Sequence, residues 1–195
     1  NPTDPAASLP ELLKLRETMS GLQDESWVAE KKAQLDKIIA ACLGLHVEAS
    51  TATETFIPGQ SATVKLEAIN RSSVQVTLKE ARCLNSGDST KIGAALPSND
   101  LVTKDLSCRI PDDAPYSQPY WLRKPRALGT FTVDDQKLIG LAENPPALPV
   151  EIILDVSAQE LRYTVDTKYR TADTLPSEVP RSPVIAPPVF ANVAD

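Results

Sequence analysis

Glycine, histidine and aromatic residues are all scarce in this chain of 195 residues: seven glycines, one histidine, and Phe, Trp and Tyr together at 5 %. So few rings exclude an extended platform on which base after base or sugar after sugar could stack. The lone imidazole, His46, cannot by itself build a catalytic zinc site, which needs about three protein ligands. The cysteines Cys42, Cys83 and Cys108 show no CxxC spacing, which excludes a zinc knuckle and a thioredoxin-type redox motif. Basic blocks are missing too. With 26 acidic against 20 basic residues and a net charge of -6, the chain lacks the cationic surface that dominates nucleic-acid affinity. No apolar run approaches the ~20 residues that cross a bilayer. Phosphate-binding GxGxxG and Walker sequences and the nucleophile signature GxSxG are likewise absent.

What is present suits one medium domain, or a domain with a small appendage, which buries roughly 70 % of its unfolded surface without needing metal or disulfide staples. Seventeen prolines against seven glycines predict stiff loops. The chain starts at Asn1 with no charged-then-apolar leader, and reads as a mature chain or an excised segment. Cys83 and Cys108 both lie in β-like sequence. They suit either a disulfide in an oxidising compartment or two reduced, buried thiols.

The first 44 residues read as a helical hairpin. Ser8-Leu9-Pro10-Glu11 has the form of a capping box with proline in the first turn, and Leu12, Leu15, Met19 and Leu22 share one face. Gly21 breaks the pattern. A second helix is expected from about Asp24-Glu25, with Val28, Leu35, Ile38, Ile39 and Cys42 as its apolar stripe, Trp27 alongside, and Gly44 as its stop. The stripe must bury against either the β region or another domain.

Beyond Gly44 the period becomes two. Leu45 to Ser50 is a first strand, and Val64, Leu66 and Ala68 alternate with Lys65 and Glu67. Val74, Val76 and Leu78 alternate next, and parity slips near Glu80, where a β-bulge is expected. A weaker strand runs from Leu101 to Leu106, a short one through Phe131 and Val133, and a clear hairpin pairs Val150–Val156 with Leu161–Val165. Short strands joined by polar turns, with no helices between them, predict a mainly β fold: an Ig-like antiparallel β-sandwich over residues 45–175, preceded by the hairpin of residues 1–44. Residues 176–195, rich in proline, can form only an edge strand or a tail.

No complete catalytic or metal site is expected, and no cofactor. Asp112-Asp113 and Asp134-Asp135 are adjacent carboxylates, which on a strand point to opposite faces and read as turn residues. Tyr116, Tyr120, Trp121 and Arg123, with Lys124, form the one cluster suited to ligand binding, since sugar-binding modules place exposed rings among hydrogen-bonding groups. Alternatively, Tyr120 and Trp121 plug the end of the sandwich. One or two ring contacts at ~0.5–1.5 kcal/mol each beyond burial fall short of the ~4 kcal/mol of a millimolar complex. Hydrogen bonds would have to supply the rest. Asn70-Arg71-Ser72 is a formal glycosylation sequon.

The block Pro115–Leu154 (PYSQPYWLRKPRALGTFTVDDQKLIGLAENPPALPVEIIL) and Tyr169-Arg170-Thr171-Ala172-Asp173, Ser177-Glu178 and Pro187-Pro188-Val189 resemble the non-catalytic C-terminal region of large bacterial PIG-L/LmbE-type N-acetylglucosaminyl deacetylases. The resemblance runs from about Leu9 to Val189. It departs in the tail, where Ser177-Glu178 and Arg181-Ser182-Pro183 stand in place of a Gly-Glu and an Arg-Pro pair. The Phe56-Ile57-Pro58-Gly59-Gln60 opening, continued to Asn70, is similar to that of bacterial Ig-like accessory domains, including a module that accompanies some α-galactosidases. The resemblance implies an accessory domain whose partner is the catalytic domain of the same parent chain, in a periplasmic or secreted enzyme. A glycan is the alternative partner. The family's zinc motif, His-Pro-Asp-Asp, is echoed only by Ile110-Pro111-Asp112-Asp113, and isoleucine cannot ligate zinc.

Overall fold

The computed structural model describes residues 3–22, 25–170 and 180–189. The first element is a 3-10 turn, Pro5–Ser8, in which the Asp4 carboxylate accepts from the Ala7 amide at 3.3 Å. The turn runs straight into helix α1 (Leu9–Met19). The expected capping box is therefore replaced: Ser8 already has helical dihedrals and makes no side-chain cap bond, because the true boundary lies at Asp4. Helix α2 (Glu25–Leu43) ends as expected at Gly44. Gly44 at φ 57° donates to Ala41 O at 3.0 Å, and Leu45 donates to Ala40 O at 2.9 Å, the paired bonds of a Schellman stop. A side chain at 44 would also meet Arg71 Cβ at 2.8 Å, so glycine is required twice over.

The expected stripe of α2 holds at Leu35 and Ile39 but fails at Ile38, and α1 turns Leu9 and Leu13 inward, with Leu12 and Met19 only partly buried against the core. Leu9, Leu13, Leu35, Ile39 and Leu43 are buried, whereas Leu15, Leu22 and Ile38 are exposed. Arg16 Nε lies 2.6 Å from Asp36 Oδ1 and ties the helices together. Asp24 and the segments Thr171-Ala172-Asp173 and Ser177-Glu178 lie outside the described residues.

The β region forms a seven-stranded sheet of order β5-β4-β7-β8-β1-β3-β6. Its strands are β1 (His46–Thr51), β3 (Ser61–Ile69), β4 (Val76–Cys83), β5 (Ser89–Ala95), β6 (Val102–Arg109), β7 (Pro149–Val156) and β8 (Gln159–Tyr169), while β2 (Thr55–Phe56) and β9 (Val184–Ile185) make a separate two-stranded ribbon. The sheet is mixed and nearly barrel-shaped. The expected all-antiparallel pairing is corrected at two places: β1 runs parallel to β8, and β2 parallel to β9. The expected bulge is present, with the register shifting between Leu78 and Glu80. Phe131 and Val133 form no strand, and Phe131 is exposed. Strand β5, with little apolar alternation, was not anticipated.

Alternation explains the interior. Val76, Leu78, Ala81, Cys83, Val150, Ile152, Leu154, Val156 and Leu161 line one half of the sheet, and Ala49, Ala62, Val64, Leu66, Ala68, Leu106 and Cys108 line the other. The helix residues Leu9, Leu13, Leu35, Ile39 and Leu43 belong to the same core, so the helices pack on this sheet. Gln159 Nε2 donates to Leu13 O at 3.2 Å and Tyr163 OH to Asp36 O at 3.0 Å, which places the pair at the β7–β8 hairpin. Burial, and secondarily the nearby Asp36, raise the Tyr163 pKa above the usual phenol range, so it stays a neutral donor.

Asn70 is fully buried. Its Nδ2 donates to Val74 O at 2.8 Å and Leu96 O at 3.3 Å, and its Oδ1 accepts from the Ser72 amide and hydroxyl. The formal sequon is thus a structural hub, with no nitrogen accessible to glycosylation in the folded state.

The β7–β8 turn stores a small strain. Val156 pairs with Gln159, and the two residues between them, Ser157 and Ala158, sit at φ 51° and 65°, the left-handed pair of a type I′ turn that favours Asn-Gly. Ala158→Gly is expected to stabilise the fold by about 0.5–1 kcal/mol, relief of the left-handed penalty outweighing the added chain entropy. Urea unfolding checks this: the midpoint rises with unchanged slope, and an unchanged or lower midpoint refutes it.

Candidate functional site

One end of the sheet is closed by a bond. Cys83, the last residue of β4, and Cys108, near the end of β6, form a disulfide with Cα atoms 5.7 Å apart. Of the two readings the sequence left open, pairing is the one found, and Cys42 remains a free thiol. Asp88 braces the same end. Its carboxylate accepts from the Arg109 amide at 2.7 Å and from Ser86 Oγ at 2.8 Å. These two bonds, the Arg109 one foremost, hold its pKa below the ordinary carboxylate range.

Above this bonded end the connection from Ile110 to Leu148 folds over the sheet, and beneath it lies a cleft of about 650 Å³, a size that suits a small ligand. The strand ends joined by the disulfide supply Leu84, Asn85, Ile110 and Pro111. The long loop supplies Asp113, Tyr116, Arg123, Asp135, Asn144 and a run of prolines, and β9 supplies Ile185. Proline sets the shape because it fixes φ and donates no backbone hydrogen bond. The tail strand is stitched in by Ser117: its amide donates to Ile185 O at 2.7 Å and its Oγ accepts from the Ile185 amide at 2.9 Å.

The four residues expected to bind ligand divide into two pairs. Tyr116 and Arg123 both line the cleft, and Tyr116 is exposed. Tyr120 is buried, donating its OH to Leu141 O at 3.1 Å while its amide donates to Asn144 Oδ1 at 2.9 Å. Trp121 packs edge-on against it with ring centroids 4.8 Å apart, and lines a shallower hollow with Gln118, Pro119 and Glu143. Tyr120 thus anchors the loop. Lys124 pairs with Asp134 at 2.6 Å.

The carboxylate pairs behave as turn residues only in part. Asp112 pairs with Arg109 at 3.0 Å, and Asp135 accepts from the Lys137 amide at the start of a short 3-10 helix. Yet Asp113 and Asp135, one from each pair, face the same cleft. Sequence reasoning missed this meeting across 22 residues of loop, and no local pattern announces it. Two carboxylates, a guanidinium, a phenol and the Asn144 amide above an apolar floor can hydrogen-bond a hydroxyl- or amine-bearing ligand. His46 lies elsewhere, exposed and 3.8 Å from Glu48. Among the described residues no three His, Cys, Asp or Glu side chains converge to hold a metal ion, and no helix is long and apolar enough to cross a membrane.

No protein-family model matches the sequence. None of the curated proteins matches it. Among solved structures it is similar to the sporulation control protein Spo0M from Bacillus subtilis, at 7 % identity and a TM-score of 0.28 over 65 % of this chain and 50 % of that one. It is also similar to the alkylpurine DNA glycosylase AlkC from Pseudomonas fluorescens, at 9 % identity and a TM-score of 0.30 over 81 % and 42 %. The chain thus spans half or less of the length of either protein, and likenesses this slight carry no argument about function.

The disulfide closes a loop with a sequence separation of 25 residues, and in the chain-entropy picture such a loop contributes about 3.5 kcal/mol. Replacing Cys83 and Cys108 together by alanine is expected to lower unfolding free energy by that order in urea titration. A loss below about 1 kcal/mol would show that Asp88 and the β ladders suffice to close this end.

Proposed function

We propose that this chain is a non-catalytic accessory β domain of a PIG-L-like zinc-dependent N-acetylglucosaminyl deacetylase, packing on or positioning the catalytic domain of the same parent chain. One observation carries the reading. The helix pair uses Leu9, Leu13, Leu35, Ile39 and Leu43 to cover the sheet and keeps further large apolar residues, Leu15, Leu22, Trp27 and Ile38, 49–58 % exposed. Four large apolar side chains left exposed within one helical hairpin are the kind of surface that a partner covers. A neighbouring domain of the same chain would cover them, and the zinc ligands would belong to that domain.

Two further features support the reading. The halves of the sheet face each other across one core and are joined by a disulfide, which favours an Ig-like sandwich as the finer description. The same bond favours a periplasmic or secreted location, since disulfides persist in oxidising compartments.

The coding region upstream is expected to encode His-Pro-Asp-Asp, and its absence would end the idea. In the intact parent, changing Trp27 and Ile38 to glutamate is expected to speed proteolysis between the domains at least about tenfold, with the isolated domain melting as before. Equal cleavage of both forms would sink the packing role.

A second reading, a carbohydrate- or cell-surface-binding module, is favoured by the cleft that unites Tyr116 and Arg123. Titration calorimetry with N-acetylglucosamine oligomers is expected to show millimolar or tighter binding, weakened about tenfold by Tyr116→Ala. A flat response across N-acetylated sugars and wall polymers would count against it.

A further inference from the structure

The long loop does more than roof the cleft. Its base is clamped: Tyr120 OH and amide hold Leu141 O and Asn144 Oδ1, Asn144 Nδ2 donates to Gln118 O at 2.6 Å, and Lys124 holds Asp134. Beyond the clamp the chain projects and turns back at Ala127–Thr130, where the Thr130 amide donates to Ala127 O at 3.3 Å and Gly129 takes φ 78°. Leu128, at the apex, is 106 % exposed, and Leu122 and Phe131 on its two limbs are 52 % and 53 % exposed. None of the three joins the core. The loop base is already fixed by its polar bonds; Leu128 packs on nothing, and with the exposed halves of Leu122 and Phe131 it presents an apolar point to water.

Charge says what that point meets. From Trp121 to Val133 the chain holds Arg123, Lys124 and Arg126 and no carboxylate; Asp134, next in line, neutralises Lys124, which leaves Arg123 and Arg126 as the cations in a protein of net charge -6. Among the described residues the guanidinium groups of Arg123 and Arg126 make no hydrogen bond or ion pair. A narrow apolar apex with cations just behind it fits an anionic lipid interface, which takes the apolar tip into the acyl boundary while the headgroups meet the cations. A protein partner would need a matching pocket for the apex. An acidic protein can approach an anionic bilayer only through such a local positive face.

We propose that the Leu122–Phe131 loop is a membrane-surface anchor that seats the domain peripherally on an anionic lipid bilayer through Leu128, Phe131 and Arg126. It does not use the helix face and shares only Arg123 with the cleft, so it stands or falls separately from the accessory-domain reading.

Co-sedimentation of the whole chain with phosphatidylcholine vesicles, with and without phosphatidylglycerol, tests it. Binding is expected only to the anionic vesicles, and to fade at about 1 M salt, where screening acts within ~3 Å. Arg126→Ala is expected to lower the partition coefficient about fivefold, and Leu128→Asp more than about tenfold. Both variants should melt like the parent, because the altered side chains carry no packing. Absence of binding to the anionic vesicles, equal binding to both kinds, or full binding by Leu128→Asp each overturns the proposal.

Discussion

A curled sheet has two open ends, and the stability of this domain depends on how each is closed. The bond between Cys83 and Cys108 closes one, joining β4 near one edge of the sheet to β6 at the other. Without that join the two halves would be held on this side by side-chain packing and the Asp88 brace alone. With it, strand ends far apart in sheet order become neighbours, and the segments leaving them, Leu84-Asn85 and Ile110-Pro111, become one wall of the cleft. The covalent constraint and the candidate site therefore occupy the same end of the fold.

The helix pair closes the other end, and it does so by hydrophobic burial. Leu9, Leu13, Leu35, Ile39 and Leu43 are each at most 5 % exposed, and burial of such side chains contributes ~1.5–3 kcal/mol apiece. Gly44 makes this geometry possible, since it ends α2 in a left-handed turn and lets Arg71 pass close behind. Proline does the corresponding work at the cleft. In a loop of nearly forty residues, fixed φ angles and a few polar clamps replace a hydrophobic core of the loop's own.

This division separates scaffold from surface. The sheet and its plugs leave three features facing outward: the second apolar residues of the helices, the cleft, and the projecting turn. Each has a different chemistry, and each admits a test that does not perturb the others. Tyr120 shows how loop anchoring is kept apart from the cleft surface. Its ring is spent on anchoring the loop, so Tyr116 and Arg123 can stay exposed beside the cleft.

Strand alternation, the bulge near Glu80, the β7–β8 hairpin and the Gly44 stop were all legible in the chain, because each rests on residues within a few positions of one another. The helix faces were legible only in part for a related reason: leucine and isoleucine occur on both sides of α1 and α2, and only the sheet beneath selects Leu13 over Leu15 and Ile39 over Ile38. The Phe131 strand was misread because alternation without a partner strand is no strand. The disulfide, the parallel contact of β1 with β8, and the meeting of Asp113 with Asp135 join residues brought together from distant parts of the chain or from separate turns. Local periodicity carries no information about such pairs. The sequence by itself determined most element types and the sharp stop at Gly44, through propensity and the period of burial, but neither β5 nor the 3-10 start at Asp4. The tertiary structure alone decided which ends meet, because curling a sheet sets neighbours by strand order in space and not by order along the chain.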